Sequence, residues 1–228
     1  MVSVLRPNQR ILNIPGIGVQ TPRRAVASGA AAWWLAGGAP TPIAVYQPKG
    51  AASLAASYVN LVNPGTYDAA PGVAPTLDAA TGWTFNGNSQ YLSCAAAPAG
   101  TWAMLLRCTA VEAATKYLAG VSTANQAFFF LNTAGSMLFY NNSVASGGVV
   151  GAAFTAGTIG IAGTKAYQNG VAVSGTLPGT ATAVNGITIG RVIGGSYCAF
   201  TAQAFAIWNT STNHATWMPA VMAAAAAL

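Results

Sequence analysis

Charge is what this sequence has least of. Only 5% of its 228 residues are Asp, Glu, Lys or Arg, against roughly a quarter in an ordinary soluble domain. Acids are rarest: Asp68, Asp78 and Glu112 are the full set, and His214 is the sole histidine. Glycoside hydrolysis by a carboxylate pair needs two acids flanking one bond, and these three fall in separate segments. Asp68 and Asp78 read as loop acids that cap a turn or pair with an arginine. A Ser-His-Asp arrangement would have to use His214, which falls at an expected terminal helix and reads as a helix-surface residue. No G-x-S-x-G elbow occurs, and the glycine-rich stretches lack the Lys-Ser/Thr ending of a phosphate loop. No enzyme is predicted, and no cofactor.

Cysteine is scarce too. Cys94, Cys108 and Cys198 have no zinc spacing, and an odd number argues against a complete disulfide framework. They read as small buried apolar residues. With one histidine and scattered acids, no four-ligand metal site is predicted. A calcium ion held by backbone carbonyls and one Asp stays open.

Long hydrophobic runs are missing as well. The uncharged stretch between Lys116 and Lys165 is broken every few residues by Gly, Asn, Ser and Thr, so no segment offers the about 18 to 20 apolar positions of a membrane span. The first ten residues lack an apolar core after their charges, which predicts no secretory signal and a start in a reducing cytosol. Twelve prolines and 26 glycines are too many for a helical bundle, yet eight Phe, eight Tyr and six Trp are too many for a disordered chain. Net charge is +6, but the basic residues are spread thinly, so no dedicated nucleic-acid surface is indicated.

What is present begins with small side chains, 49 Ala and 26 Gly. Residues 1–32 read as an extended arm. Arg6, Arg10, Arg23 and Arg24 supply four of the nine basic charges there, and Pro7, Pro15 and Pro22 forbid a long helix. The stretch around Ile14 and Ile17 is too apolar for water and too short for a core, so the arm is expected to lie against its own domain or a neighbour. Residues 33–228 read as one β domain: short aromatic and β-branched runs between Gly, Asn, Pro and Ser clusters. Trp83–Leu92 looks like strand, turn, strand around Asn86-Gly87. Thr101–Thr109, Ala127–Leu131, Ser136–Tyr140, Thr158–Ala162, Lys165–Gln168, Val171–Val173 and Gly186–Gly190 are further strand candidates, with Asn169-Gly170 a strong hairpin signal. Cys198–Trp208 is apolar on both faces, which predicts that both are covered. Ala51–Tyr58 suits a short helix. Residues 213–228 suit one or two, with Pro219 starting the second piece.

Several of these segments resemble a known pattern. Trp83-Thr-Phe-Asn-Gly with Gln90-Tyr-Leu92 resembles the early strands of laminin-G-like domains, in the concanavalin A-like jelly-roll superfamily. Tyr167-Gln-Asn-Gly-Val-Ala-Val173 looks like that family's Y-x-N-G-x-x-V hairpin. Ile187-Thr-Ile-Gly-Arg191 is similar to its I-G strand, and Phe200–Asn209 to its closing strand. The resemblance spans roughly residues 83–217, and Tyr46–Phe85 is similar to accessory proteins of tailed phages and prophages that carry such a domain. It implies an all-β, concanavalin A-like jelly-roll sandwich of two antiparallel sheets, with an extended N-terminal arm and a short C-terminal helix. It implies no activity, because one fold hosts many functions. The acids of calcium-binding relatives and the clustered acids of glucanases are absent.

So few charges imply that much surface is shielded by neighbouring molecules. The expected function is a non-enzymatic structural protein of a tailed-phage virion, a head decoration or a tail or fibre component. It would be assembled in the host cytoplasm and released by lysis, contacting copies of itself (a homo-oligomer) and other virion proteins. Arg6, Arg10, Ile14, Ile17, Arg23 and Arg24 would dock the arm. The alternative is a lectin-like carbohydrate-binding module for host-surface glycans, with Asn125, Gln126, Tyr140, Asn141 and Asn142 as exposed loop contacts. Asparagines placed in turns for backbone geometry alone would look the same.

Overall fold

Fifteen strands are found among the described residues, which in this computed structural model are 32–123, 126–143, 148–182, 185–192 and 196–228. A 3-10 segment, Trp33–Gly38, comes first, then β1 (Ala44–Tyr46), α1 (Leu54–Ser57), β2 (Ala70–Val73), β3 (Thr76–Asp78), β4 (Gly82–Asn86) and β5 (Tyr91–Cys94). Next come β6 (Ala103–Thr109), β7 (Lys116–Thr123), β8 (Gln126–Asn132), β9 (Met137–Ser143) and β10 (Val149–Gly151). The chain ends with β11 (Gly157–Ala162), β12 (Lys165–Gln168), β13 (Val171–Ala172), β14 (Ile187–Ile189), β15 (Ala199–Trp208) and α2 (His214–Ala226). The arm, residues 1–31 with Arg6, Arg10, Ile14, Ile17, Arg23 and Arg24, lies outside the described residues.

The strands form two antiparallel sheets, as expected. Sheet A runs β13-β12-β11-β6-β15-β4-β3, with β1 on the second half of β15; sheet B runs β10-β9-β8-β7-β14-β5-β2. Between them lies one core in which Trp83, Phe85, Phe200 and Phe205 of sheet A meet Leu92, Phe128, Phe130 and Phe139 of sheet B. Each such side chain contributes about 1.5–3 kcal/mol by leaving water. All three cysteines are buried and free.

Asn169 and Gly170 have φ of 52° and 82°, the left-handed pair that a tight hairpin between β12 and β13 requires. Trp83–Leu92 also gives two strands, but β4 belongs to sheet A and β5 to sheet B. The connection is held by side chains. Asn86 Oδ1 accepts from the amides of Asn88, Ser89 and Gln90 at 3.0–3.2 Å, while Gln90 Oε1 accepts from Asn86 N at 2.9 Å. Phe85 and Leu92 thereby enter the same core from opposite sides.

β15 is covered on both faces, and its register explains how. A bulge between Ala202 and Ala204 switches the alternation, so Phe200, Ala202, Phe205 and Ile207 face the sandwich while Ala204, Ala206 and Trp208 face outward. Outward, they meet Trp217, Met218, Val221 and Met222 of α2. The chain's own terminal helix therefore seals part of the outer face of sheet A. Small residues permit the approach: Ala103, Ala162, Ala204 and Ala206 lie in this second core. A Cβ on Gly37, at φ 65°, would stand 2.6 Å from Ala220 Cβ. Pro219 does not start a second helix; it lies inside α2. Burial of Trp217, Met218, Val221 and Met222 on both sides of it offsets the about 3 kcal/mol cost of an interior proline.

Candidate functional site

The three acids are committed to the backbone. Asp68 Oδ1 accepts from Asn60 N at 2.8 Å and Gly65 N at 3.1 Å, and Asp78 Oδ1 accepts from Ala80 N at 2.7 Å. Both are turn-capping acids, as expected. Glu112 Oε1 accepts from Ala199 N at 2.7 Å and ties the approach to β7 to the start of β15. Among the described residues no three His, Cys, Asp or Glu side chains are grouped to hold a metal ion, and no helix is long and apolar enough to cross a membrane. His214 opens α2 half-buried, its Nδ1 2.7 Å from the Tyr167 hydroxyl. Burial, and then the nearby Lys165, lower its pKa, which favours the neutral ring.

Two expected glycan contacts are misplaced. Asn141 and Asn142 were expected on exposed loops, yet both sit on β9 and are fully buried. Asn141 faces the core and acts as a clamp: its Nδ2 donates to Gly100 O at 2.8 Å and Gly163 O at 2.7 Å, and its backbone carbonyl accepts from Gly179 N. A buried amide in a strand and an exposed amide in a turn are the same letter in a sequence. Asn125 lies outside the described residues, and Gln126 opens β8 opposite Ser143.

Tyr140, also expected on an exposed loop, lies half-buried on β9 and leads to a different surface. Cross-strand pairing puts Ser93, Thr188, Gly120, Phe129 and Tyr140 in one row on the outer face of sheet B. Beside it Tyr117, Leu131, Leu138 and Val150 form a second row. Tyr140 lies 4.5 Å, ring to ring, from Phe129, and Tyr117 stands edge-on to Phe129 at 5.0 Å. Val192 closes over Phe129, leaving Tyr117, Leu131 and Tyr140 half-buried. Gly120, at φ 132°, has no room for a side chain: a Cβ there would lie 2.2 Å from Phe128 O.

Next to Val192, Arg191 is gripped by two tyrosines. Its guanidinium carbon lies 3.6 Å from the Tyr91 ring centre and 5.6 Å from that of Tyr197, and its Nη1 donates to the Tyr197 hydroxyl at 3.2 Å. Tyr91 in turn lies across Gly72, where any Cβ would fall 1.9 Å from its Cζ. Cation–π contacts of this kind are worth about 0.5–2 kcal/mol. Among the described residues no carboxylate pairs with Arg191. The result is a fixed cation toward the β5 side of the sheet that carries the aromatic strip, joined to the strip through Val192, and able to donate hydrogen bonds to an anion. Sequence reading missed Tyr91, Tyr117, Phe129, Arg191 and Tyr197. The run of three phenylalanines in β8 carried a signal for Phe129, since alternation must turn one of them away from the core.

No protein-family model matches the sequence, and no curated protein does. Solved structures match by fold. The sialidase of Trypanosoma rangeli, solved in complex with the inhibitor DANA, is similar over 80% of this chain and 33% of its own, at 12% identity and a TM-score of 0.56. A botulinum neurotoxin type C structure, described by cell entry dependent on interaction with two ganglioside molecules, is similar over 77% of this chain and 50% of its own, at 9% identity and a TM-score of 0.52. The receptor binding domain of botulinum neurotoxin D is similar over 75% of this chain and 49% of its own, at 10% identity and a TM-score of 0.52. This chain spans a third to a half of these proteins, and the likeness is one of fold.

Proposed function

We propose that the protein is a non-catalytic glycan-recognition module that reads an anionic sugar on the outer face of sheet B. One observation carries the reading: α2 covers part of the outer face of sheet A, whereas that of sheet B presents half-buried Tyr117 and Tyr140 and, toward β5, a cation with no acidic partner. Aromatic faces take up the apolar side of a sugar ring, and Arg191 supplies the donor for a carboxylate. The toxin and sialidase likenesses support this, since those structures are described with gangliosides and a sialidase inhibitor. A glycan array of the whole chain tests it. Sialylated probes are expected to bind, with Tyr140→Ala and Arg191→Gln each weakening them by about tenfold or more. An array silent for acidic glycans, or binding indifferent to both variants, overturns the reading.

A second reading has its own support: a structural protein of a tailed-phage virion, in head or tail, that associates with copies of itself. Val73, Val150 and Val171 are 47%, 59% and 69% exposed, and all three lie on sheet-edge strands, β2, β10 and β13. Edges with few charges invite pairing with another chain. Electron microscopy of purified particles bearing the protein tests this reading, and a protein absent from particles counts against it.

A further inference from the structure

We infer that the cleft between the segment before β1 and the loop after α1 is a second binding site, for one uncharged saccharide residue. It has a volume of about 340 Å³, at the small end of the range of ligand sites. Thr41, Asn63, Thr66, Tyr67 and Asn209 line it, over an apolar floor that includes Ile43.

The loop that builds it is held from below. Asn60 is fully buried and uses its whole amide: Oδ1 accepts from Val45 N at 3.0 Å and Val62 N at 3.1 Å, and Nδ2 donates to Ile43 O at 2.8 Å and Thr66 O at 2.9 Å. Asp68 ties Asn60 N to Gly65 N. The carbonyl of Tyr67 accepts from the buried Tyr46 hydroxyl and the Cys94 thiol. These bonds fix both ends of residues 60–68 to the sandwich, so what the loop displays is preorganised.

What it displays is uncommitted. Among the described residues the side chains of Thr41, Asn63, Thr66 and Asn209 make no hydrogen bond of their own, and all four are exposed. Tyr67 is also exposed, at a φ of 58° that a bulky residue rarely adopts. Glycine would meet that backbone angle without strain, so the turn itself does not call for a ring there. Two carboxamides, two hydroxyls and one aromatic face around an apolar floor match a ring that carries hydroxyls on its rim and C–H groups on one side. No charged residue lines the cleft, and the nearest carboxylate, Asp68, is turned toward the backbone. A carboxylate-bearing sugar would find no countercharge, so the occupant is neutral.

This inference shares a ligand class with the proposed function but not a site, and nuclear magnetic resonance on the full chain separates the two. The probes are methyl galactoside, methyl glucoside and sialyllactose. A neutral glycoside is expected to shift the side-chain amide signals of Asn63 and Asn209. That shift should persist in Tyr140→Ala and vanish in the Asn63→Ala/Asn209→Ala double variant. Tyr67→Gly is expected to keep or raise the melting temperature while weakening the neutral glycoside by about tenfold or more. Silence of both amides up to about 100 mM glycoside, a shift that survives the double variant, or preference of the cleft for sialyllactose overturns the inference. Loss of sialyllactose binding in Tyr140→Ala with a silent cleft sinks this site alone. Cleft shifts beside a silent sheet B sink the other.

Discussion

Asn60 and Asn141 each hold several strands and loops together with one amide, and both are buried where water cannot replace a lost partner. Replacing Asn60 by alanine leaves two N–H and two C=O groups without that partner, at a net cost of about 1 kcal/mol for each bond. Asn60→Ala is expected to lower unfolding free energy by about 2–4 kcal/mol, read from urea denaturation. Asn60→Asp should rescue little, because a carboxylate cannot donate to Ile43 O and Thr66 O. His214 offers a test by pH. Its folded-state pKa lies below the ordinary 6.5, through burial and Lys165, so the unfolded chain binds the proton more readily. The stability this neutral ring contributes is present above about pH 6.5 and is lost as pH falls through the folded-state pKa. Melting temperature measured across that interval should decline toward acid, and His214→Gln should flatten the decline. A wild-type profile that rises toward acid there removes this account of the Tyr167–His214 contact.

At the scale of elements, legibility followed length and chemistry. β8 and β9, the Asn169-Gly170 hairpin and β15 were readable because long apolar runs and a turn with positive φ leave few alternatives. β2 was not: Ala70-Pro-Gly-Val73 has a proline and a glycine and is exposed throughout, which only an edge strand tolerates. β1, β3 and β10 are three residues each, too short for a period to show. β7 is interrupted by Gly120, which is there because the Phe128–Phe129 backbone crowds it. The candidate site on sheet B was named in the sequence only at Tyr140 and signalled at Phe129, since its other members come from β5, β7 and the segment after β14, and pairing alone brings them together. The docking of α2 was foreseen only as a need for cover. It makes its own prediction. Gly37→Ala would push a methyl group against Ala220 and force a positive φ, costing about 1–3 kcal/mol, whereas Gly38→Ala meets open space at a similarly positive φ. Urea denaturation should therefore rank Gly37→Ala below Gly38→Ala; equal losses would mean that α2 is not seated against the 3-10 segment.

At the scale of the whole molecule the shortage of charge has two separable causes. One is internal: Ala103, Ala204, Ala206 and Trp208 look like surface in a two-layer sandwich and are covered by α2, so part of the missing charge was never owed to solvent. The other is the surface that stays open, the aromatic strip of sheet B and the valines of three edge strands. β10 and β13 lie on the same flank, because Gln168 of β12 donates to Ala152 just after β10 and Gly175 sits against Val149. Val150 and Val171 therefore stand on neighbouring edges. If copies of the chain associate through that flank, a lysine at each position should break the association without disturbing the core, since both side chains already point to water. Sedimentation of the wild type should show mass rising with concentration, and Val150→Lys/Val171→Lys should hold it at the single-chain value with an unchanged melting temperature. Should wild type and double variant sediment alike as oligomers, the interface lies elsewhere, and the strip formed by Tyr117 and Tyr140 becomes the surface to alter next. Should both remain single chains, association of copies through that flank is ruled out.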